Sequence, residues 1–317
     1  MKKTAFVFPG QGSQYVGMGR SFFDGYAVAR ATFEEAGDAI GIDMAKLCFE
    51  GPSEALDRTE NTQPALLTAS MAAFRALNEE VDITPSFMAG HSLGEYTALV
   101  AAGSLDFRDA VKLVKLRGRF MQESVPAGTG KMCAILGLDI EAVEVICDSA
   151  SIDAAVVVPA NINSPAQIVI SGHAVAVDIA AGLAKERGAK RVVELQVSAP
   201  SHSPLMIKAA ERLASELAGT AFATPKVPVL TNVEAQAAGH DESIREILIR
   251  QLTSPVQWVG IIQKMRKEGV ECIIEIGPNK VLSGLNKRIE KDIESVSLDT
   301  APDIGKVIEA VGATPRR

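Results

Sequence analysis

The pentapeptide at residues 90–94 reads Gly-His-Ser-Leu-Gly and is the strongest local constraint on the fold. It fits the Gly-x-Ser-x-Gly pattern, in which a serine stands on a sharp turn between a buried strand and a helix. Residues 86–89 predict the strand, and residues 95–102 predict a helix that ends near Gly103. The same five residues also describe an ordinary turn of small side chains. In the first interpretation Ser92 is a nucleophile, and backbone N–H groups at the helix start face developing negative charge.

Strand and helix patterns alternate along most of the chain. A buried strand is predicted at residues 4–8, and a helix is predicted to open at Gln63 and Pro64 and to run toward residue 77. Asp106 predicts the cap of a second helix over residues 107–123. Further strands are predicted near residues 227–231 and 271–276, with helices between them. This alternation is typical of an α/β domain with a mainly parallel sheet.

The segment from residue 129 to residue 198 has a different order of elements. Its predicted strands lie at residues 131–136, 154–159, 167–171 and 191–197, and its predicted helices at residues 140–149 and 174–187. The polar residues 161–165 are expected to connect the second and third strands. The order βαββαβ is that of a ferredoxin-like unit. We therefore predict a small subdomain at residues 129–198, inserted between two parts of one large catalytic domain, residues 1–128 and 199–317.

Composition and charge narrow the class of function. The 317 residues are 47% hydrophobic and 22% charged, as in ordinary globular proteins, and the net charge of −7 argues against a nucleic-acid partner. The four cysteines are too scattered for a disulfide framework or a zinc site, which favours a reducing, cytoplasmic location. The apolar run after Met1 ends at Pro9, too short for a signal peptide. No apolar stretch is long enough to span a bilayer, so no membrane partner is expected.

A serine nucleophile requires a base, and the chain offers four histidines. His91 adjoins Ser92, but neighbouring side chains leave a turn in different directions. His173 lies at a strand–helix junction, and His240 lies in a polar loop. His202 is flanked by prolines that stiffen its loop, and it follows the serine in the chain as in hydrolases. We predict His202 as the base; the alternative is a histidine with a structural role between the two domains.

Arg117 is the second candidate for a functional role. On a helical wheel at 100° per residue it falls inside the apolar arc of the helix predicted at residues 107–123. Four charged residues of the same helix cluster on the opposite face, namely Lys112, Lys115, Arg119 and Glu123. A guanidinium that points inward must be paired, because an unpaired buried charge is very costly. Its partner is either a structural carboxylate or the carboxylate of a substrate.

With these residues in place, the chain resembles the malonyl-CoA:acyl-carrier-protein transacylases, the free-standing acyltransferases of bacterial fatty acid synthesis. Besides Arg117, the matching pieces are residues 8–14 (FPGQGSQ), 62–65 (TQPA), 90–95 (GHSLGE), 161–165 (NINSP), 200–202 (PSH), 251–258 (QLTSPVQW) and 275–278 (EIGP). They run in the family's order over almost the whole chain. The resemblance implies a hydrolase-like α/β domain with a ferredoxin-like insertion, in agreement with the order of elements above.

The resemblance also implies the catalytic roles. Ser92 would carry the acyl group and His202 would act as its base. The backbone N–H groups of Gln11 and Leu93 would form the oxyanion hole. The backbone carbonyl of Gln251, rather than an acidic side chain, would orient the histidine.

Substrate binding falls to a second set of residues under the same resemblance. Arg117 would bind the malonyl carboxylate, and Leu93 after the nucleophile favours malonyl. The further substrate-binding residues are Gln63, Asn161 and Ser201. Malonyl-CoA and acyl carrier protein are the implied partners, and no cofactor or metal is expected.

The carrier protein would have to dock on a local basic patch. Acyl carrier proteins of this pathway are typically acidic, and this chain is acidic as well. The candidate residues for the patch are Lys190, Arg191, Lys287 and Arg288. Screening by salt is expected to weaken such docking.

Three alternatives stay open at this point. A free-standing acyltransferase that serves a polyketide synthase would carry the same residues. A serine thioesterase or esterase would share Ser92 and His202, but such hydrolases use an acidic partner and bring water to the acyl-enzyme. A carrier-binding subunit without catalytic activity would have no need of serine, base and arginine together.

Overall fold

The computed structural model describes residues 1–126, 128–195, 199–239 and 241–316, and of residues 241 and 242 it describes the backbone alone. The strands are β1 (Thr4–Phe8), β2 (Phe87–Gly90), β3 (Gly130–Leu136), β4 (Val157–Ser164), β5 (Gln167–His173), β6 (Arg191–Glu194), β7 (Val229–Leu230), β8 (Cys272–Ile276) and β9 (Glu294–Leu298). The helices are α1 (Arg20–Gly25), α2 (Ala27–Ile40), α3 (Met44–Glu50), α4 (Ser53–Leu56), α5 (Thr59–Glu80), α6 (Leu93–Ala101), α7 (Phe107–Glu123), α8 (Ile140–Ala150), α9 (Ala174–Glu186), α10 (Ile207–Ala218), α11 (Asp241–Gln251), α12 (Trp258–Lys267), α13 (Val281–Ile289) and α14 (Asp303–Val311). A 3-10 turn covers Pro204–Met206. Within these described ranges, no helix is both long and apolar enough to cross a bilayer.

The large sheet has the order β7-β2-β1-β8-β9, and each of these neighbouring pairs is parallel. Its central strand β1 is buried on both faces, as expected for a parallel sheet covered by helices. Phe6 and Phe8 pack into the larger core on one face, and Ala5 and Val7 into a second core on the other. The predicted α/β class with a mainly parallel sheet is confirmed.

The small sheet is antiparallel, with the order β4-β5-β3-β6. Helices α8 and α9 cover one face, where Cys133 and Ile135 of β3 join their core. Met132 and Ala134, the alternate residues of β3, lie on the opposite face. The element order and the strand order are those of a ferredoxin-like unit, so the predicted inserted fold is confirmed. The domain boundaries at residues 128–129 and 198–199 stay predictions.

The helix predicted to open at Gln63 begins earlier, at Thr59, so that prediction is wrong. The backbone N–H groups of Asn61 and Thr62 both bond to the carbonyl of Arg58. Pro64 therefore lies one turn inside α5, where it removes a single backbone hydrogen bond. Packing compensates, because Gly118 of α7 fits directly against the first turn: a Cβ there would lie 2.5 Å from the Thr59 carbonyl oxygen.

The connection predicted at residues 161–165 is also wrong, because residues 161–164 continue strand β4. Two irregularities in register let β4 bend along β5. The bent part pairs with Val256 of the large domain: Ile162 N–H donates to the Val256 carbonyl (2.9 Å), and Val256 N–H donates to the Ala160 carbonyl (2.9 Å). A partner almost one hundred residues away gives no local signal, so the periodicity of the segment could not reveal it.

Candidate active site

Ser92 stands between β2 and α6 with a positive φ of 52°. The two flanking residues must be glycines, because other backbone segments pack too closely against them to leave room for a Cβ atom. A Cβ on Gly90 would lie 1.8 Å from the Gly94 carbonyl carbon, and a Cβ on Gly94 would lie 2.1 Å from the Phe8 carbonyl oxygen. Such a strained turn persists only where its surroundings hold it. Here Ser92 N–H donates to Asn232 Oδ1 (2.6 Å).

His202 meets the serine directly. Its Nε2 lies 2.8 Å from Ser92 Oγ, and its Nδ1 lies 2.7 Å from the Gln251 carbonyl oxygen. That carbonyl can only accept, so Nδ1 carries the hydrogen and Nε2 is left as the acceptor. Burial, and next the positive charge of Arg117, lower the pKa of His202 to about 3. The ring is therefore neutral at neutral pH, the state that a general base requires.

Arg117 is 1% exposed and projects from α7 toward the nucleophile. Its Nη1 donates to Gln63 Oε1 (2.8 Å), and its Nη2 donates to Gln251 Oε1 (2.9 Å) and to Ser92 Oγ (3.1 Å). The guanidinium carbon lies 5.5 Å from the centre of the Tyr96 ring. Within the described part of the chain, the side-chain hydrogen bonds of Arg117 all go to neutral oxygens. Two neutral amide oxygens thus hold a buried cation beside the nucleophile.

The two predicted oxyanion-hole residues lie at the ends of adjacent strands. Gln11 follows β1 and Leu93 follows β2, and these strands pair in register with Phe8 opposite Gly90. Leu93 is the first residue of α6, so its N–H has no acceptor within the helix. The Gln11 side chain is turned aside, donating from Nε2 to Thr59 Oγ1 (3.1 Å). Gln11 and Leu93 line the same cavity as Ser92, and their role as an oxyanion hole stays a prediction.

A cavity of about 390 Å³ opens between the large domain and the bare face of the small sheet. Of the predicted site residues, those that line it are Gln11, Ser92, Leu93, Arg117, Asn161, Ser201 and His202. Gln63 and Gln251 are not in the wall but stand behind it, each bonded to Arg117. Apolar side chains of the small sheet form the opposite wall, namely Met132, Ala134, Val169 and Leu195. The structure therefore brings all nine predicted residues together.

The other histidines lie apart from the Ser92 hydroxyl. His91 turns its Nε2 to Asn163 Oδ1 (2.8 Å), and its ring lies 5.6 Å from that of Trp258. His173 Nδ1 accepts from the backbone N–H of Val156 (3.0 Å) in the small subdomain. His240 falls outside the described residues.

Two polar residues under the nucleophile were missed by the sequence analysis. Asn232, in the loop after β7, also donates from Nδ2 to the Gly90 carbonyl (2.6 Å). Glu95 is 1% exposed, and its Oε2 accepts from Asn232 N–H (2.9 Å) and from Gln251 Nε2 (2.8 Å). Glu95 is the one charged residue of α6, a pattern that the sequence analysis could have used to find it. Nothing in the local sequence marks Asn232 in this way.

The four residues proposed for carrier docking are all exposed. Lys190 and Arg191 lie at the start of β6, and Lys287 and Arg288 in the last turn of α13. Arg288 donates from Nη1 to Gln167 Oε1 (2.9 Å), and Gln167 lines the cavity. Of the four residues, Arg288 therefore borders the cavity.

Comparison with known proteins places this site in context. Residues 5–310 match the family model described as an acyl transferase domain. A protein of Escherichia coli (strain K12) named malonyl CoA-acyl carrier protein transacylase is 48% identical over 309 residues, which cover 98% of this chain and 100% of that protein.

Solved structures agree in fold. A malonyl CoA-acyl carrier protein transacylase from Coxiella burnetii superposes with a TM-score of 0.96 at 46% identity, covering 98% of each chain. A malonyl-transacylase solved in complex with a type II PKS acyl-carrier protein gives a TM-score of 0.95 at 44% identity, covering 97% of this chain and 99% of that one.

Proposed function

Because this chain belongs to the acyl transferase family, we propose that it transfers malonyl from malonyl-CoA to the phosphopantetheine thiol of acyl carrier protein, supplying extender units for fatty acid synthesis. One observation carries this proposal. Arg117 holds a buried positive charge 3.1 Å from Ser92 Oγ and is fixed by the neutral oxygens of Gln63 and Gln251. An acyl group with its own carboxylate would give the guanidinium a direct ion-pair partner.

The first half-reaction loads the serine. Ser92 Oγ attacks the thioester carbonyl while its proton passes to His202 Nε2. The oxyanion of the tetrahedral intermediate is stabilised by the N–H groups of Gln11 and Leu93. Collapse breaks the C–S bond, and the CoA thiolate leaves with the proton from His202. The product is a malonyl ester on Ser92.

The second half-reaction runs the same steps with a new thiol. The carrier's pantetheine thiol gives its proton to His202 Nε2 and attacks the ester carbonyl. Collapse of the second tetrahedral intermediate releases Ser92, whose oxygen takes the proton back. Because CoA leaves before the carrier's thiol attacks the malonyl ester on Ser92, the mechanism is ping-pong.

Substrate binding divides between the two walls of the cavity. Arg117 grips the malonyl carboxylate, and Gln63 acts on it by holding the guanidinium. Asn161 and Ser201 face the cavity beside Ser92, where they can contact the acyl and pantetheine chains. We place the reaction in the cytoplasm, because the four cysteines are unpaired and scattered, as in reducing compartments.

The test combines labelling with transfer. Enzyme incubated with radiolabelled malonyl-CoA should hold label on Ser92 and pass it to acyl carrier protein. Ser92→Ala should abolish labelling and transfer together, whereas Ser149→Ala, an exposed serine on α8, should leave both unchanged. Stable labelling of Ser92→Ala would refute the nucleophile. Release of free malonate in place of transfer would favour the thioesterase alternative.

A second candidate is a free-standing malonyltransferase for a polyketide line, since one structural neighbour at 44% identity was solved with a type II PKS acyl-carrier protein. The chemistry and the residues would be the same. A panel of fatty acid and polyketide carrier proteins, compared by kcat/KM for malonyl transfer, separates the two pathways.

A further inference from the structure

Glu95 is a fully buried carboxyl group to which the reaction above gives no task. It is the third residue of α6, on the helix that begins at the nucleophile. Its Oε2 accepts two hydrogen bonds, one from the backbone N–H of Asn232 (2.9 Å) and one from Gln251 Nε2 (2.8 Å). A buried carboxyl group is rarely kept without a role, because its burial opposes its ionisation.

The Gln251 side chain connects Glu95 to Arg117. Its amide nitrogen faces Glu95, and its amide oxygen accepts from Arg117 Nη2 (2.9 Å). The same amide nitrogen also donates to the Ser92 carbonyl (3.0 Å). An amide has one donor end and one acceptor end. With the ends exchanged, an NH₂ group would face the guanidinium, donor against donor, and Arg117 would lose a partner.

We propose that Glu95 is a positioning residue that sets the acyl selectivity of this site by fixing the Gln251 amide, and through it Arg117, toward the carboxylate of the acyl group. The inference rests on the proposed malonyl transfer. Ionised Glu95 can only accept hydrogen bonds, so together with the Ser92 carbonyl it holds the amide nitrogen of Gln251 on its own side. Protonation removes the charge that strengthens the bond from Gln251 Nε2, so the amide is held less firmly and Arg117 Nη2 loses a fixed acceptor.

The carboxyl group of Glu95 can take up a proton near neutral pH because of its surroundings. Burial raises the pKa of its carboxyl group to about 7, against the opposing effects of the bonds from Asn232 and Gln251 and of the Arg117 charge. The other titratable groups around it are Tyr96 on the same helix and His202 beyond Gln251. Burial raises the pKa of Tyr96 to about 12, and the pKa of His202 is about 3, so neither changes charge between pH 6 and pH 8.

The experiment measures kcat/KM for malonyl-CoA over acetyl-CoA, with the active fraction of each preparation counted by acyl-enzyme labelling. Glu95→Ala should lower this ratio about tenfold, the effect of one lost charge-assisted hydrogen bond. Glu95→Gln keeps the volume but is neutral and carries a donor, as the protonated carboxyl group does, so its ratio should stay near the wild-type value at pH 6. In the wild type the ratio should fall as the pH drops from 8 to 6, and in Glu95→Gln it should be flat.

Glu275→Gln is the matched control. Glu275 is equally buried, but its carboxylate caps α13 by accepting from the N–H groups of Leu282 (2.9 Å) and Ser283 (2.7 Å). This variant should lose stability and keep the wild-type ratio. An unchanged ratio in Glu95→Ala would make Glu95 merely structural and overturn the proposal. If Glu95→Ala does not fold, equal pH slopes in the wild type and Glu95→Gln overturn it. A wild type unable to transfer malonyl would instead refute the proposed function.

Discussion

At the scale of single residues, the hydrogen-bond donors around Ser92 Oγ decide where its proton goes. Arg117 Nη2 donates to this oxygen (3.1 Å), so the hydroxyl hydrogen must point elsewhere. His202 Nε2 (2.8 Å) is a bare acceptor because the Gln251 carbonyl holds the hydrogen on Nδ1. The serine therefore donates to the histidine before any substrate arrives. A carboxylate bound to Arg117 would also offset the charge that lowers the pKa of His202, and so strengthen the base.

Arg117→Ala tests the selectivity that follows from this arrangement. Removing one partner of a buried charge pair costs about 2–5 kcal/mol, so the kcat/KM ratio of malonyl-CoA over acetyl-CoA should fall on the order of 10²-fold. Acetyl transfer should persist or rise, because no unpaired guanidinium then remains in the pocket. Arg117→Lys should rescue malonyl transfer poorly, because an ammonium group lacks the planar two-pronged donor.

Arg119→Ala is the control for that measurement. Arg119 lies two residues along the same helix, on its exposed face, near Glu123. Its removal should leave the malonyl-to-acetyl ratio unchanged. An unchanged ratio in Arg117→Ala would contradict the role given to Arg117. Leu93 and Ser201 would then be the next candidates for the residues that determine malonyl selectivity.

The sequence could identify the residues of the site that carry a local signal. Ser92 lies in a recognisable turn, and Arg117 breaks the apolar arc of a helix. The side chain of Gln251 and that of Asn232 have no such signal, because their partners are far away in the chain. Their roles depend on which loops the sheet brings under the nucleophile, and this is a property of the tertiary fold.

At the scale of elements, the turn at Ser92 depends on how closely β1 and α6 approach. Gly94→Ala would place a methyl group 2.1 Å from the Phe8 carbonyl oxygen, which is rigid backbone of the central strand. Overpacking of this kind costs at least about 1–3 kcal/mol. We expect a lower midpoint of thermal unfolding and a loss of acyl loading, because the same shift moves Ser92 and the Leu93 N–H.

Gly182→Ala is the matched control, measured by the same thermal unfolding. Gly182 lies on the exposed side of α9 with nothing near the position of its Cβ. Alanine there should raise stability by roughly 0.5–1 kcal/mol, because glycine is the poorer helix former. A Gly94→Ala protein as stable and active as the wild type would show that the turn tolerates a side chain.

Local signals predicted some element boundaries well and others poorly. The helix predicted over residues 107–123 agrees with α7, because the Asp106 side chain accepts from the N–H groups of Arg108 and Asp109. The start of α5 and the length of β4 were missed. Those two boundaries are stabilised by partners distant in sequence, Gly118 and Val256, and no local pattern reports them.

At the scale of the whole molecule, the cavity lies between the bare face of the small sheet and the segments of the large domain that follow β1 and β2. The small sheet uses one face for its own helices and presents Met132 and Val169 to the cleft on the other. The pairing of β4 with Val256 ties it to the large domain beside the site. The proposed transfer brings the carrier's thiol in along this cleft, so we expect the carrier protein to dock on the surface around its mouth.

Charge should govern that docking. This chain is acidic overall, so docking of an acidic carrier protein requires a local basic surface, and Arg288 borders the cavity through Gln167. Raising the ionic strength from about 0.01 M to 0.1 M shortens the screening length from about 30 Å to 10 Å. The KM for carrier protein should rise over this range. Arg288→Glu should raise it further at low salt and flatten its salt dependence, with little change in the rate of loading from malonyl-CoA.

Lys112→Glu makes the same change of charge on the exposed face of α7, beside Ser215 and Glu216 rather than the cavity mouth. If long-range net charge alone controlled association, the two variants would raise the carrier KM equally. If local contact controls it, only Arg288→Glu will do so, because screening confines each charge to its own neighbourhood at 0.1 M. If the KM for carrier protein changes neither with salt nor with Arg288→Glu, electrostatic docking at this edge of the cavity is excluded.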